Sequence, residues 1–296
     1  MGRVCVLMLG AIIPVAVALA PAPRAAAQPP GQPAPLKIGL PESMFSGLPP
    51  AIVQIGAEPF KAMFQRQAGL KGEIIVVKDY ADTAARLRNK TLDVAVFQGF
   101  EYPWVKQHKE LVPLLVTVPR SKLQAAIVVN VQNKAAGPNQ LRGDCVTVHP
   151  ATKAHCRIYL ERLQQAAPAG FLGTAKADTS ALEDVLDEVA GGKREAVLID
   201  TATLLAYQAN KPAVGGQLKV LAQSENFPSA IIVYRDGAFT ADEAKKVSTG
   251  LIKAIASPQG RGLTDLWKLK GFAEIDDGYR AEIEKSLKAY PAPERK

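Results

Sequence analysis

The run "HPATKAHC", residues 149–156, sets two imidazoles, a hydroxyl, an ammonium and a thiol side by side. Each combination implies a different chemistry. Two histidines and a cysteine suit zinc, but His149 and His155 lie six apart across a proline and do not share a helical face as ligands at i and i+4 do. No partner that would orient their rings can be named, and neither metal nor cofactor is expected. A Cys156–His155 nucleophile pair fails on geometry, because neighbours on a helix point about 100° apart.

Two readings survive, and they share one helix. The plain one is a capped helix start. His149 precedes Pro150 and is extended. Thr152 caps the N-terminus, Cys156, Tyr159, Leu160 and Leu163 form the buried stripe, and Arg157 pairs with Glu161 on the exposed face. The sharper one is an anion cradle. The free N–H groups and positive dipole end of the helix would face an oxyanion beside the Thr152 hydroxyl and the Lys153 ammonium. Lys153 has no local partner, since the residue four further on is Arg157, a like charge. Location favours the cradle. The helix follows a strand at 145–148, and in open α/β sheets ligand crevices lie beyond the carboxyl ends of strands.

The rest of the chain supplies such sheets. Residues 36–40 read as a strand ended by Pro41, and 52–64 carry Ile52, Ile55, Phe60, Met63 and Phe64 at helical spacing. Strands at 74–77 and 93–97 flank a short helix at 80–89. A loop and helix fill 99–108, and 112–118 and 125–130 are extended. A second block repeats the order: a strand at 145–148, helices at 152–165 and 179–189, a strand at 195–199, a helix at 201–209 and a strand at 218–222. Residues 230–234 are extended again, and the tail is helical at 241–255, 261–268 and 279–289. The alternation predicts an α/β fold of two lobes, each a mostly parallel sheet flanked by helices, with a ligand cleft between them. Lobe I spans 36–131, lobe II 132–224, and residues 225–296 return to lobe I. The crossings fall near Gln132 and at 223–228.

Of the 296 residues, 48% are hydrophobic, enough for a sizeable core. Residues 1–27 stand apart. Arg3 precedes an apolar run from Val4 to Ala20, broken by Pro14, and Ala25-Ala26-Ala27 closes the segment. That is the pattern of a cleaved secretory signal peptide, too short and interrupted for a membrane span. Residues 28–35 form a Pro-rich leader. Cleavage after Ala27 removes two arginines and no acid, so the formal charge falls from +8 to +6. The charges are dispersed, which argues against a nucleic-acid partner. Export permits a disulfide between Cys145 and Cys156, but their placement reads as two buried thiols.

Several segments together resemble the phosphate/phosphonate-type substrate-binding proteins of ABC transporters, periplasmic binding proteins of the second type. They are "LKIGLPES", "VVKDYADTAARLRNKTLDVAVFQGFEY", "LRGDCVTVHPATKAH", "GGKREAVLIDTATLL" and "LKVLAQSENFPSAIIVYRDG". The second is the most specific: K-D-Y, a short helix, L-D-V-A-V-F, then a Gly-x-x-Tyr loop. Where the family shows a hydroxyl-rich S-T-S-G loop, this chain has Thr152-Lys153-Ala154-His155, one hydroxyl and a lysine. The resemblance implies a periplasmic monomer that captures a small oxyanion, such as phosphate, phosphite or a phosphonate, and delivers it to a membrane permease. On lobe I the candidate ligand residues are Ser43, Gln98 and Tyr102, with core packing as the competing role for Tyr102. On lobe II they are Thr152, Lys153, His155 and Asp200, where Asp200 either takes a ligand amine or caps the helix at Thr201. Two other functions fit the same scaffold. An exported enzyme needs a nucleophile, a base and an orienting group, and no such set or motif can be assembled from a chain with three histidines. A sensor would present its closed form to a membrane receptor. N-terminal sequencing of the exported protein should begin at Gln28 or within a few residues of it; full-length chain in the membrane fraction would refute the signal peptide.

Overall fold

The computed structural model describes residues 35–45, single positions between 58 and 69, and residues 71–143, 145–177 and 181–293. The expected signal peptide, the leader up to residue 34 and most of the helix expected at 52–64 lie outside the described residues. The chain begins with β1 (Leu36–Pro41), β2 (Gly72–Val77), α1 (Tyr80–Arg88), β3 (Val94–Phe97) and β4 (Leu111–Pro119). It continues with β5 (Ala125–Asn130), β6 (Val146–Val148), α2 (Ala154–Ala166), β7 (Thr174–Lys176), α3 (Leu182–Ala190), β8 (Ala196–Asp200), α4 (Thr201–Asn210), α5 (Pro212–Gly215) and β9 (Leu218–Gln223). It ends with β10 (Ile231–Arg235), α6 (Ala241–Ala254), α7 (Pro258–Leu266), β11 (Leu269–Ala273) and α8 (Asp277–Ala289). The strands form two sheets, ordered β11-β4-β10-β3-β1-β2 and β7-β6-β8-β5-β9.

In both sheets most strands run in one direction, as expected, with β10 and β11 reversed in the first and β5 in the second. In the first, β1 is parallel to β2 and β3, but β10 and β11 run antiparallel to their neighbours. In the second, β6 is parallel to β7 and β8, while β5 is antiparallel to β8 and β9. The crossings account for β5 and β10, while β11 is an edge strand that turns back beside β4 after α7. A strand arriving from the other lobe enters at the edge where the parallel strands end, and so runs against them. β5 belongs to the second sheet, which places the first crossing at 120–124 and not near Gln132. Its sequence, AAIVVN, is buried over its first five residues, and an apolar strand buried on both faces carries no mark of which sheet takes it. The edge strands β7 and β11 also escape the pattern. The first is three residues long and mostly exposed, and the second is interrupted by Gly271. The helix expected at 99–108 shrinks to a 3₁₀ turn at Tyr102–Trp104.

Alternating residues fill opposite faces of each sheet. On the first sheet Ile38, Val94, Val96 and Ile232 pack against Val247 and Leu251 of α6. Leu87 of α1, with Phe97, Ile231 and Val233, packs against Tyr279 and Ile283 of α8 on the other face. On the second sheet Ile127, Val129 and Leu198 meet Cys156, Tyr159 and Leu160 of α2. Val128, Val197 and Ile199 meet Val185, Leu186 and Val189 of α3 on the reverse. Each such large side chain contributes about 1.5–3 kcal/mol of burial. Cys145 and Cys156 are both buried thiols.

The two crossings run side by side and bond to each other. Phe227 N–H donates to the Leu123 carbonyl at 2.8 Å, Leu123 N–H to Asn226 Oδ1 at 3.0 Å, and Ser224 N–H to the Ala125 carbonyl at 2.9 Å. They leave from the inner edge of each sheet, since Ala125 is in register with Asp200 of β8 and Ile231 with Phe97 of β3. The residue after Gln98 must let the second crossing pass. A Cβ on Gly99 would lie 2.3 Å from the carbonyl oxygens of Pro228 and Ser229. Gly99→Ala should therefore destabilise the protein by about 1–3 kcal/mol, the range for overpacking. Denaturant unfolding measures it, and an unchanged midpoint would show that the crossing yields freely.

Candidate functional site

β6 delivers the chain to the "HPAT" turn, which is bonded to itself. Thr152 N–H donates to the His149 carbonyl at 2.9 Å, His149 N–H to Thr152 Oγ1 at 3.1 Å, and Ala151 N–H to His149 Nδ1 at 3.1 Å. Arg157 does not pair with Glu161. Its guanidinium reaches back to the carbonyls of His149, Pro150 and Thr152 at 3.0–3.1 Å, because three carbonyls of one turn satisfy a fork of donors better than one solvated carboxylate. Thr152 is not the cap. It is buried, its hydroxyl serves the turn and contacts the Leu198 carbonyl of β8 at 3.5 Å, and Lys153 takes the N-cap position. Lys153 has no side-chain acceptor, so α2 opens without a side-chain cap.

Lys153 does have a partner. Its ammonium lies 3.0 Å from Asp200 Oδ1, at the end of β8. Only the fold could show this, because the two residues are far apart in sequence and meet where neighbouring parallel strands end. Asp200 also caps α4, accepting from Thr203 N–H at 3.1 Å and from the Thr203 hydroxyl at 2.6 Å. Burial pushes the Asp200 carboxyl up, but Lys153 and the Thr203 bonds outweigh it and hold it below its ordinary range. His155 is buried, with its ring 5.4 Å from that of Phe227. Burial lowers it to about 4, against the pull of Asp200, so it is neutral at physiological pH. Burial also raises the Cys156 thiol far above the range of a reactive cysteine.

The lobe I candidates follow β1 and β3. Ser43 lies in the 3₁₀ turn at Glu42–Phe45 and is half-buried. Gln98 is half-buried directly after β3, and its carbonyl accepts from the N–H groups of Glu101 and Tyr102 at 3.0 and 3.1 Å. Tyr102 is buried in the core, its ring centroid 6.2 Å from that of Phe97. The structure thus gathers Thr152, Lys153, His155 and Asp200 at one corner of lobe II. It places Ser43 and Gln98 at strand ends of lobe I and commits Tyr102 largely to packing. The lobes meet through Phe227, whose ring lies 5.8 Å from Phe100 of lobe I and 5.4 Å from His155 of lobe II. An apolar pocket of about 40 Å³ within lobe I, lined by Leu40, Met44, Val96 and Trp267 among others, offers an anion nothing.

Glu101 carries no mark in the sequence, yet it is the buried acid nearest Gln98. It accepts from Gln98 N–H at 3.3 Å, and burial raises its carboxyl to about 7. Its signs in pH dependence oppose those of His155. Between pH 4.5 and 7 the unfolded chain releases the Glu101 proton and the folded chain keeps it, so stability falls as pH rises. Between pH 4 and 6.5 the unfolded chain binds a proton at His155 and the folded chain does not, so stability rises with pH. From pH 4.5 to 6.5 the two contributions offset. Glu101→Gln should expose the His155 slope, about 1.4 kcal/mol per pH unit at most, in unfolding free energies measured across that window. A variant whose profile matched the wild type would remove Glu101 from this balance.

A family model described as the periplasmic substrate-binding protein of a phosphonate ABC transporter matches residues 43–279. No curated protein matches at the level of sequence. Among solved structures, PhnD1 from Prochlorococcus marinus, in complex with methylphosphonate, superposes with a TM-score of 0.61 at 15% identity, covering 86% of this chain and 97% of that one. A binding protein component of an ABC phosphonate transporter from Pseudomonas aeruginosa gives 0.59 at 16% identity, covering 85% and 84%. A Xanthomonas citri protein bound to ATP gives 0.61 at 18% identity, covering 86% and 96%.

Proposed function

We propose, for a chain that belongs to the periplasmic substrate-binding proteins of phosphonate ABC transporters, that it holds a small oxyanion between its lobes at the start of α2 and passes it to a membrane permease. The family is one of transport proteins and not of enzymes, and its members bind a small ligand and work with a permease. One observation carries the assignment of the site. α2 opens without a side-chain cap, at the edge where β6 and β8 end, with the Lys153 ammonium beside it. A phosphonate, phosphite or phosphate group there would receive first-turn N–H groups and a cation together. Ser43 and Gln98 would meet it from lobe I as the crossings bend. Export by the cleaved signal peptide, a periplasmic location and a monomeric state complete this reading.

The Lys153–Asp200 pair favours a second reading of the ligand. A plain dianion must draw Lys153 away from a buried carboxylate. A ligand that brings an ammonium as well as an acid group, such as an aminoalkylphosphonate, would satisfy both partners at once. Titration calorimetry against methylphosphonate, phosphite, phosphate and an aminoalkylphosphonate separates the two, and binding of none would overturn the anion site.

Lys153→Ala should weaken binding of whichever oxyanion the wild type takes by about 1.5–3 kcal/mol, tenfold to a hundredfold. Its cost in stability should be about 1–2 kcal/mol. Half the lysine side chain is exposed, and Thr203 keeps its bonds to Asp200. Equal affinity in variant and wild type would move the anion away from α2.

A further inference from the structure

α2 carries the proposed anion site at its N-terminus and a second contact towards its other end. Arg162 forks onto the Glu225 carboxylate, in the second crossing, at 2.6 and 3.0 Å. Its guanidinium carbon also lies 4.5 Å from the centroid of the Tyr290 ring. Tyr290 follows α8 directly and is 4% exposed. Its ring stands 4.7 Å from that of Phe227 and belongs to the core that holds Cys156, Tyr159 and Leu160 of α2. α8 itself belongs to lobe I. Tyr279 and Ile283 pack with Leu87 and Phe97, and Glu284 pairs with Lys106. The Tyr279 hydroxyl donates to the Ser229 carbonyl of the second crossing at 2.7 Å. Trp104 of lobe I donates its indole N–H to the Tyr290 carbonyl at 2.8 Å. One residue therefore has its backbone bound to lobe I and its ring seated in lobe II.

We infer that Tyr290 is a positioning residue for ligand capture: held to lobe I by α8 and Trp104, and seated on α2 of lobe II, it sets the angle at which α2 presents its N-terminus to lobe I. This rests on the anion site proposed above. The lever is α2. From Lys153 to Arg162 it is an unbroken helix of roughly 13 Å, so holding one end holds the other. The crossings by themselves are two strands of backbone, and such a joint bends; a buried aromatic seat and a bidentate ion pair beside it narrow the angles it can adopt. Without the seat, fewer molecules hold the binding-ready angle, and apparent affinity falls by that fraction.

The test uses the full mature chain with Tyr290→Ala and Tyr290→Phe, read by small-angle scattering without ligand and by calorimetric titration with methylphosphonate well below either variant's melting temperature. Tyr290→Ala should broaden the ligand-free scattering envelope and weaken methylphosphonate binding by about fivefold to tenfold. Tyr290→Phe keeps the ring and removes only the hydroxyl beside Glu225, so in both readouts it should stay much nearer the wild type than Tyr290→Ala does. If Tyr290→Ala folds poorly, Arg162→Leu should shift both readouts in the same direction while leaving the ring in place. A Tyr290→Ala protein with wild-type scattering and affinity overturns the inference, as does one that broadens yet binds as the wild type does. If the wild type itself fails to bind methylphosphonate, the anion reading falls for that probe, and the scattering comparison still decides whether Tyr290 holds the lobes: an unchanged envelope overturns it.

Discussion

Asp200 is a buried carboxylate, and lobe II is arranged around satisfying it. Leaving such a charge without partners would cost several kcal/mol, so the fold brings three to it. Thr203 supplies a backbone N–H and a hydroxyl from the first turn of α4, and Lys153 supplies an ammonium from the start of α2. Asp200 is also the register partner of Ala125, where the chain enters from lobe I. Two helix starts, a strand end and a crossing are thereby fixed relative to one another. The proposed anion site lies at this junction, so whatever perturbs Asp200 acts on ligand, helix and crossing together.

The reversed strands β5 and β10 follow from the same geometry. Ligand groups must sit where parallel strands end, because there the following helices point their N-termini inward. A two-lobed protein that closes on its ligand needs its connections beside that edge too. β5 and β10 enter there and run antiparallel to β8 and β3. Gly99 belongs to this arrangement: the carbonyls of Pro228 and Ser229 occupy the volume a side chain would need. The crossings and the proposed site are thus parts of one edge, and the aromatic contact of Phe227 with both Phe100 and His155 gives it a dry interior.

Dryness explains the ionisable groups around the site. Glu101 and His155 are displaced in opposite directions by one cause, loss of water. Near neutral pH the imidazole adds no charge and the acid only a partial one. The charge that matters is concentrated in the Lys153–Asp200 pair, where the ammonium side chain remains half exposed and able to reach a ligand.

The α/β alternation, the two lobes, the helix that follows the "HPATKAH" turn with its stripe of Cys156, Tyr159 and Leu160, and the capping role open to Asp200 are all legible in the order of residues. These rest on local spacing, which periodicity and turn chemistry record directly. The assembled fold was needed to show that Lys153 belongs to Asp200, that Arg157 serves three turn carbonyls, that Thr152 is bonded into the turn and does not cap α2, and that β5 lies in the second sheet. Glu101 likewise became visible only once burial was known. In each case the deciding partner is distant in sequence or is a backbone group with no side-chain signature. Residue spacing encodes which face of an element is apolar, but which charge a buried charge will meet depends on where neighbouring strands happen to end.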